Sequence, residues 1–340
     1  MELGLISLAD LTPDPATGDV APAGRRILDI VRAAELADEA GLDVFAVGEH
    51  HHPNYAVSSP AVVLAAIAQA TTRIRLTSAT TLIGVLDPVR VYEDFATVDL
   101  LSGGRTEITV GRGAFPEPFE LFGYELDDYD SLFTDHFELL RGLVTQPWVS
   151  WSGRHRAPLT SAGIMPRANQ YPLPVWVGVG GNRGSATRAG SLGVPILAGA
   201  TGGALSRFVD TFTAYRAAAE KAGHDPAELP VATTSYLHVA NTSAEVDGFY
   251  AHWAAYAAHH SRGRLQGQRE VFDRQRGEDG TLLLGSPQQI VDRIGRQHEL
   301  FGHDRLLAQI DLGAMPFARV AAIIEILGAE VLPEVRKFTR

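Results

Sequence analysis

Three stretches of the chain carry residue types whose spacing could do chemistry. The first is Gly48-Glu49-His50-His51-His52. Imidazoles beside a carboxylate offer proton transfer near neutral pH, or ligands for a metal ion. On an extended strand side chains alternate, so His50 and His52 share one face and His51 points away. A metal site of the hydrolase-barrel type would need more His, Lys or carboxylate ligands on later strands. Val175–Val179 and Val194–Ala198 offer none, and Asp311 alone could serve. The plain alternative is that His51 and His52 hydrogen-bond within a loop rim. At His50, next to Glu49 at a strand end, the catalytic reading is preferred.

The second stretch, Gly178-Val179-Gly180-Gly181-Asn182-Arg183-Gly184-Ser185, runs from a strand into a helix. Glycines let backbone approach a ligand closely, and free N–H groups at a helix start favour an anion. It is not the dinucleotide fingerprint. The third glycine of that pattern falls on Arg183, and Ala198-Gly199-Ala200 stands where the acidic ribose contact would be. The third feature is Arg112 between Gly111 and Gly113, a long cation with open access and a geometry suited to phosphate. An ion pair to a neighbouring carboxylate is the alternative there.

These residues must be held by elements, and the chain reads as apolar strands alternating with amphipathic helices. Strands are expected at Leu3–Ala9, Val44–Gly48, Ile74–Thr80, Thr106–Val110, Pro174–Val179, Val194–Ala198, Val231–Val239 and Leu306–Leu312. Helices are expected from Ile27 to Ala37 with Gly41 as C-terminal cap, then at Pro60–Ala70, Pro88–Leu101, Ser131–Leu143, Ser185–Leu192, Leu205–Ala222, Ala244–Ala258, Pro287–Phe301 and Phe317–Leu327. Eight such units favour a closed (β/α)8 TIM barrel over an open doubly wound sheet, with insertions at the strand C-terminal face. The candidate residues then gather at one rim, where barrels carry their function. One domain spans 1–340, with an insertion at about 148–172. A polar, aperiodic stretch at 261–281 reads as a mobile loop or lid.

Composition bounds the partners. The net charge is −11 and the pI about 5.5, against a nucleic-acid or anionic-membrane partner. The absence of cysteine removes disulfides, thiolate metal sites and a thiol nucleophile, and fits a reducing compartment. The first residues lack a basic region followed by an apolar run, and no apolar stretch approaches the ~20 residues of a membrane span. A soluble, cytoplasmic protein is expected.

Taken in order, Glu49-His50-His51, Asp87-Pro88-Val89-Arg90 with Glu93-Asp94, Leu100-Leu101-Ser102-Gly103-Gly104-Arg105 and Gly111-Arg112-Gly113 resemble the bacterial luciferase-like family of flavin-dependent monooxygenases. Pro174–Gly181 and Leu192-Gly193-Val194-Pro195 continue the resemblance along nearly the whole chain. The family implies a barrel that binds reduced FMN at the strand C-termini, with a flavin peroxide oxidising a small organic substrate by O2. Carried over by position, His50 matches the active-site histidine and Thr80 a residue beside the isoalloxazine. Arg112 matches the phosphate arginine; Val179, Gly180, Gly181, Asn182 and Ser185 match the phosphate loop and helix start; Gly199 and Ala200 match positions near the flavin. A non-proline cis peptide near Ala79-Thr80 is implied as well.

The resemblance also implies a separate flavin reductase and, by family habit, a homodimer. Gly111 stands where light-emitting members carry a cysteine and Ala200 replaces a bulky aromatic, so light emission is not expected. Two alternatives share the barrel: hydride transfer with FMN or the deazaflavin F420, and a non-catalytic flavin-binding protein. His50 and the lid argue against the last, since storage needs neither.

Overall fold

Each apolar run that the alternation marks becomes a strand of one parallel sheet that closes on itself. The computed structural model describes residues 1–260 and 269–338. The strands are β1 (Glu2–Ser7), β2 (Val44–Val47), β3 (Arg75–Ser78), β4 (Thr106–Gly111), β5 (Val175–Val179), β6 (Ile196–Gly199), β7 (Val231–Val239) and β8 (Arg305–Gln309). Each pairs in parallel with the next, and β8 pairs with β1 through Leu306 and Leu3, which closes the ring. This is the eight-stranded β/α barrel that the sequence led us to expect.

Side chains alternate between the two faces of the ring, as a pleated strand requires. Ile6, Val44, Ala46, Trp176, Leu197 and Leu307 fill the interior. Leu5, Phe45, Val47, Val177, Ile196 and Leu306 point outward into the larger core beneath the helices. The lower interior is closed by charge. Arg305 lies over Trp176 and donates to Glu107 and Glu2, while Arg75 donates to the same Glu107, each at 2.6 Å. Burying these charges is tolerable because each has a partner.

The helices between strands are α1 (Ala23–Glu39), α2 (Pro60–Ala70), α3 (Pro88–Ser102), α4 (Tyr129–Thr145), α5 (Arg183–Ser191), α6 (Leu205–Lys221), α7 (Ser243–His260), α8 (Pro287–Phe301) and α9 (Phe317–Ile326). Their ends follow capping chemistry. Asp87 accepts from the N–H groups of Val89 and Arg90, and Gly103 ends α3 at φ 70°. Ser286 and Gln289 form a capping box at the start of α8.

The excursions differ from expectation. Residues 148–172 hold an antiparallel hairpin, Trp148–Trp151 with Leu159–Gly163. It leaves from the end of α4, on the side opposite the strand C-termini, while its tip turns back to α4 and Asp87 through Arg154, His155 and Arg156. A short helix, Glu117–Phe122, was not expected; it lies in the loop after β4, at the strand C-terminal face. Of the 261–281 stretch, 261–268 lie outside the described residues. Arg269–Gln275 is a helix whose buried Phe272 packs on Tyr250 and Trp253 of α7, and a further short strand, Leu283–Gly285, pairs with the end of β7. Residues 269–281 are packed structure, and none of them lines the cleft described below.

Candidate active site

The last inward-facing position on three neighbouring strands is glycine: Gly111 on β4, Gly178 on β5 and Gly199 on β6. Where the layers below carry Glu107, Trp176 and Leu197, the top layer carries no side chain, and a cleft of about 420 Å³ opens there. β3 breaks off at Ser78, and the peptide Ala79–Thr80 is cis, as the resemblance implied. The chain then resumes at Thr81–Leu82 beside β4. Thr80 lies across two of the glycines. A Cβ on Gly111 would stand 2.2 Å from its Oγ1, and one on Gly178 would stand 2.4 Å from its Cγ2. Gly180 has open space before it. Thr80 therefore fills the space over Gly111 and Gly178, and bare backbone is left at Gly180 and Gly199, where a flat group can approach closely.

One end of the cleft carries a cation beside the start of α5. Arg112 follows β4, lies over the Tyr129 ring, and donates to Ser185 Oγ at 2.6 Å and to exposed Asp130 at 2.5 Å. The ion pair of the alternative reading is present, and the same guanidinium also reaches the start of α5. Asn182 caps α5 by accepting the Ser185 N–H at 3.2 Å, and the first turn of α5 retains N–H groups that have no intrahelical acceptor. Thr80, Arg112, Val179, Gly180, Asn182, Ser185 and Gly199 all line the cleft.

Two expected cofactor residues do not. The Gly181 N–H donates to the Val179 carbonyl at 2.7 Å, so it is not free for a phosphate. Its own lack of a side chain serves packing, since Phe208 would stand 2.9 Å from a Cβ at this φ of +68°. Ala200 is fully buried behind the wall, and Thr201 faces the cleft instead.

The opposite end holds the histidines. His50 is half-buried, stacks on Tyr55 at 3.8 Å, and its Nδ1 has no hydrogen-bond partner. Burial, helped by nearby His260, His51 and His52, lowers its pKa to about 3, so the ring is neutral at pH 7. His51 is held by Glu49 at 2.9 Å, as the plain reading had it. Burial raises the Glu49 pKa, and the His51 contact opposes that rise. His52 stacks on Phe115 at 5.5 Å. All three histidines line the cleft, because the chain has left β2 by then and strand alternation no longer applies. Asp311 is taken by Ser7 at 2.5 Å and Arg26 at 2.8 Å; among the described residues no group of three or more His, Asp or Glu is placed to hold a metal ion.

Sequence reasoning missed Tyr129, Phe115, Thr234 and Gln309, which also line the cleft. The signal for Gln309 was available: counting by twos from inward-facing Leu307 brings it to the top layer. A larger hollow of about 620 Å³ lies at the other end of the barrel, around Arg75, Glu107 and Arg305. Its charges are paired with one another, and in barrels that end serves stability.

Fold and site together give a β/α barrel with an open cleft at the strand C-termini, a cation at one end of it and histidines at the other. The chain belongs to the luciferase-like monooxygenase family, whose model matches residues 1–304. Members of this family are flavin-dependent monooxygenases or oxidoreductases. The chain is 24% identical over 333 residues to the uncharacterized protein y4vJ of Sinorhizobium fredii, covering 92% of each. It is 24% identical to the oxygenase component of the flavin-dependent trigonelline monooxygenase of Acinetobacter baylyi, over 44% of this chain and 42% of that one. Among solved structures, monooxygenase RslO1 from Streptomyces bottropensis superposes with a TM-score of 0.84 at 26% identity, over 98% of this chain and 99% of that one. The FMN-bound oxygenating constituent of 3,6-diketocamphane monooxygenase from Pseudomonas putida gives 0.79 at 19%, with the same coverage. An F420-dependent secondary alcohol dehydrogenase, again with the same coverage, gives 0.76 at 18%; these last two likenesses speak for the fold alone.

Proposed function

We propose that the chain is an FMN-dependent monooxygenase acting with O2 on a small, neutral organic substrate, and that a separate reductase supplies its reduced flavin. The observation that carries this reading is a single cleft with three different parts. An anion seat of Arg112, Ser185 and the α5 start lies at one end, a bare glycine shelf lies in the middle, and a neutral aromatic region around His50 lies at the other end. Bound there, reduced FMN supplies the two electrons that let O2 give one oxygen atom to the substrate and the other to water.

The residues have distinct tasks in this reading. Arg112 and Ser185 hold the phosphate, with Asp130 as the carboxylate the phosphate must compete with. Gly180 and Gly199 let the ring lie against backbone, beside Thr80, which fills the space over Gly111 and Gly178. His50 meets the reacting end as a neutral imidazole that donates or accepts one hydrogen bond at Nδ1. Phe115 and Tyr55 keep that end poor in water, which strengthens each polar contact made there. The oxygenase role is supported by the family and by the name of the trigonelline relative. No helix of the described residues is long and apolar enough to cross a membrane.

The test is cofactor choice. Titrations of the apoprotein with FMN and with F420, read by fluorescence, are expected to show tighter binding of FMN. Tighter binding of F420, with reduction of F420 by an alcohol, would overturn the reading in favour of hydride transfer.

A further inference from the structure

At the end of the cleft opposite Arg112, β8 presents Gln309. Its side chain follows Arg305 and Leu307 on the inward face and is 1% exposed. Yet its Nε2 has no hydrogen-bond partner. A buried donor left unpaired is destabilising, and such a group is open to a partner that arrives from outside the protein. Two strands away, His50 Nδ1 is in the same condition on the same cleft. Ile6 and Leu8 of the β1 end lie between them, and the stacked pair of His52 and Phe115 closes one side.

The charges of this end are already committed. Glu49 accepts from His51 and from the Leu82 N–H, and Arg112 is the only Arg or Lys among the described lining residues, at the far end. A ligand here therefore meets flat rings, aliphatic carbon and unpaired neutral polar atoms, with no free charge to match a carboxylate or an ammonium group. Such surroundings select against charged ligands, because an unpaired charge taken out of water is costly.

We propose that Gln309 is a specificity-determining residue: its Nε2 donates a hydrogen bond to a carbonyl oxygen of a neutral, planar aromatic substrate seated between Gln309, His50 and Phe115. This rests on the reading of the cleft as a flavin site. The flavin ring also carries carbonyl oxygens, so the same donor chemistry could be met from two sources. We assign it to the substrate, and the experiment separates the two.

The probes are 1-tetralone, an aromatic ketone, and tetralin, the same skeleton without the oxygen. Equilibrium dialysis measures both against wild type and Gln309→Leu loaded with oxidised FMN, and fluorescence quenching measures FMN affinity separately. Wild type should hold tetralone more tightly than tetralin. Gln309→Leu should lose about tenfold in tetralone affinity, the worth of about 1.4 kcal/mol, while tetralin and FMN affinities stay within about twofold. Removing an unpaired buried amide should not lower thermal stability; if Gln309→Leu fails to fold, Gln309→Met takes its place. Unchanged tetralone affinity, an equal loss for both probes, or wild type holding neither probe overturns the proposal. Loss of FMN affinity with tetralone unchanged overturns it by assigning the donor to the flavin. If wild type does not bind FMN at all, the flavin reading fails, and the comparison of tetralone with tetralin on the apoprotein still judges Gln309.

Discussion

His50 shows how far a residue's surroundings can move its chemistry from its type. The sequence offered histidine as a group that titrates near neutrality, and burial beside three other imidazoles takes that property away. The sign is direct: with the pKa lowered to about 3, the ring stays neutral from pH 8 down to about pH 4. NMR of ring-labelled protein should therefore show no protonation of His50 between pH 7 and 5; a midpoint near 6.5 would contradict this. Under the proposed function it acts as a neutral hydrogen-bonding group, and such a contact is worth about 0.5–1.5 kcal/mol, roughly two- to tenfold in turnover. His50→Ala should bind FMN almost normally and lose turnover in that range, with His52→Ala losing far less. Near-normal turnover in His50→Ala would return the histidines to a structural role.

His51→Ala should act mainly on stability, since it strips buried Glu49 of its imidazole partner. Residue identity alone picked out Arg112, Ser185 and His50, which line the cleft. Gly181 and Ala200, expected beside a cofactor, do not line the cleft; a glycine that packs against Phe208 reads the same in sequence as one placed for a ligand.

At the level of elements, the site depends on where β3 stops and on what faces it. Thr80 occupies the volume that side chains at positions 111 and 178 would need. Gly111→Ala should cost about 1–3 kcal/mol in denaturant unfolding, as an overpacked position does. The cost should shrink in a Thr80→Ala background, because the clashing Oγ1 and Cγ2 are gone and the two sites share one contact. Strictly additive costs would show that Thr80 is not what forbids the side chain. The eight strands were legible because fully buried parallel strands are short apolar runs bounded by turns. The hairpin at 148–172 was seen only as an interruption, since Trp, Ser and Gly in a two-stranded excursion give no core-facing period. Arg269–Gln275 was read as loop because a helix of two turns that buries Phe272 has too few residues to show one.

For the whole molecule, closing the ring sets distances that no single element could. It brings β4 and β5, which lead into Arg112 and Ser185, opposite β8, β1 and β2, which lead into Gln309, Leu8 and His50. The charges of Arg305, Glu107 and Arg75 line the hollow at the other end, where they are committed to one another. The central claim is that the cleft anchors FMN by its phosphate at Arg112. Comparing the affinities of FMN and riboflavin for wild type and for Arg112→Ala tests it most directly, since riboflavin is the same ring without the phosphate. Wild type should prefer FMN, and Arg112→Ala should lose about ten- to a hundredfold in FMN affinity with riboflavin unchanged, the worth of a charge-assisted contact of about 1.5–3 kcal/mol. Equal FMN affinity in the two proteins, or an equal loss for both flavins, would contradict the anion seat and the orientation of the cofactor built on it.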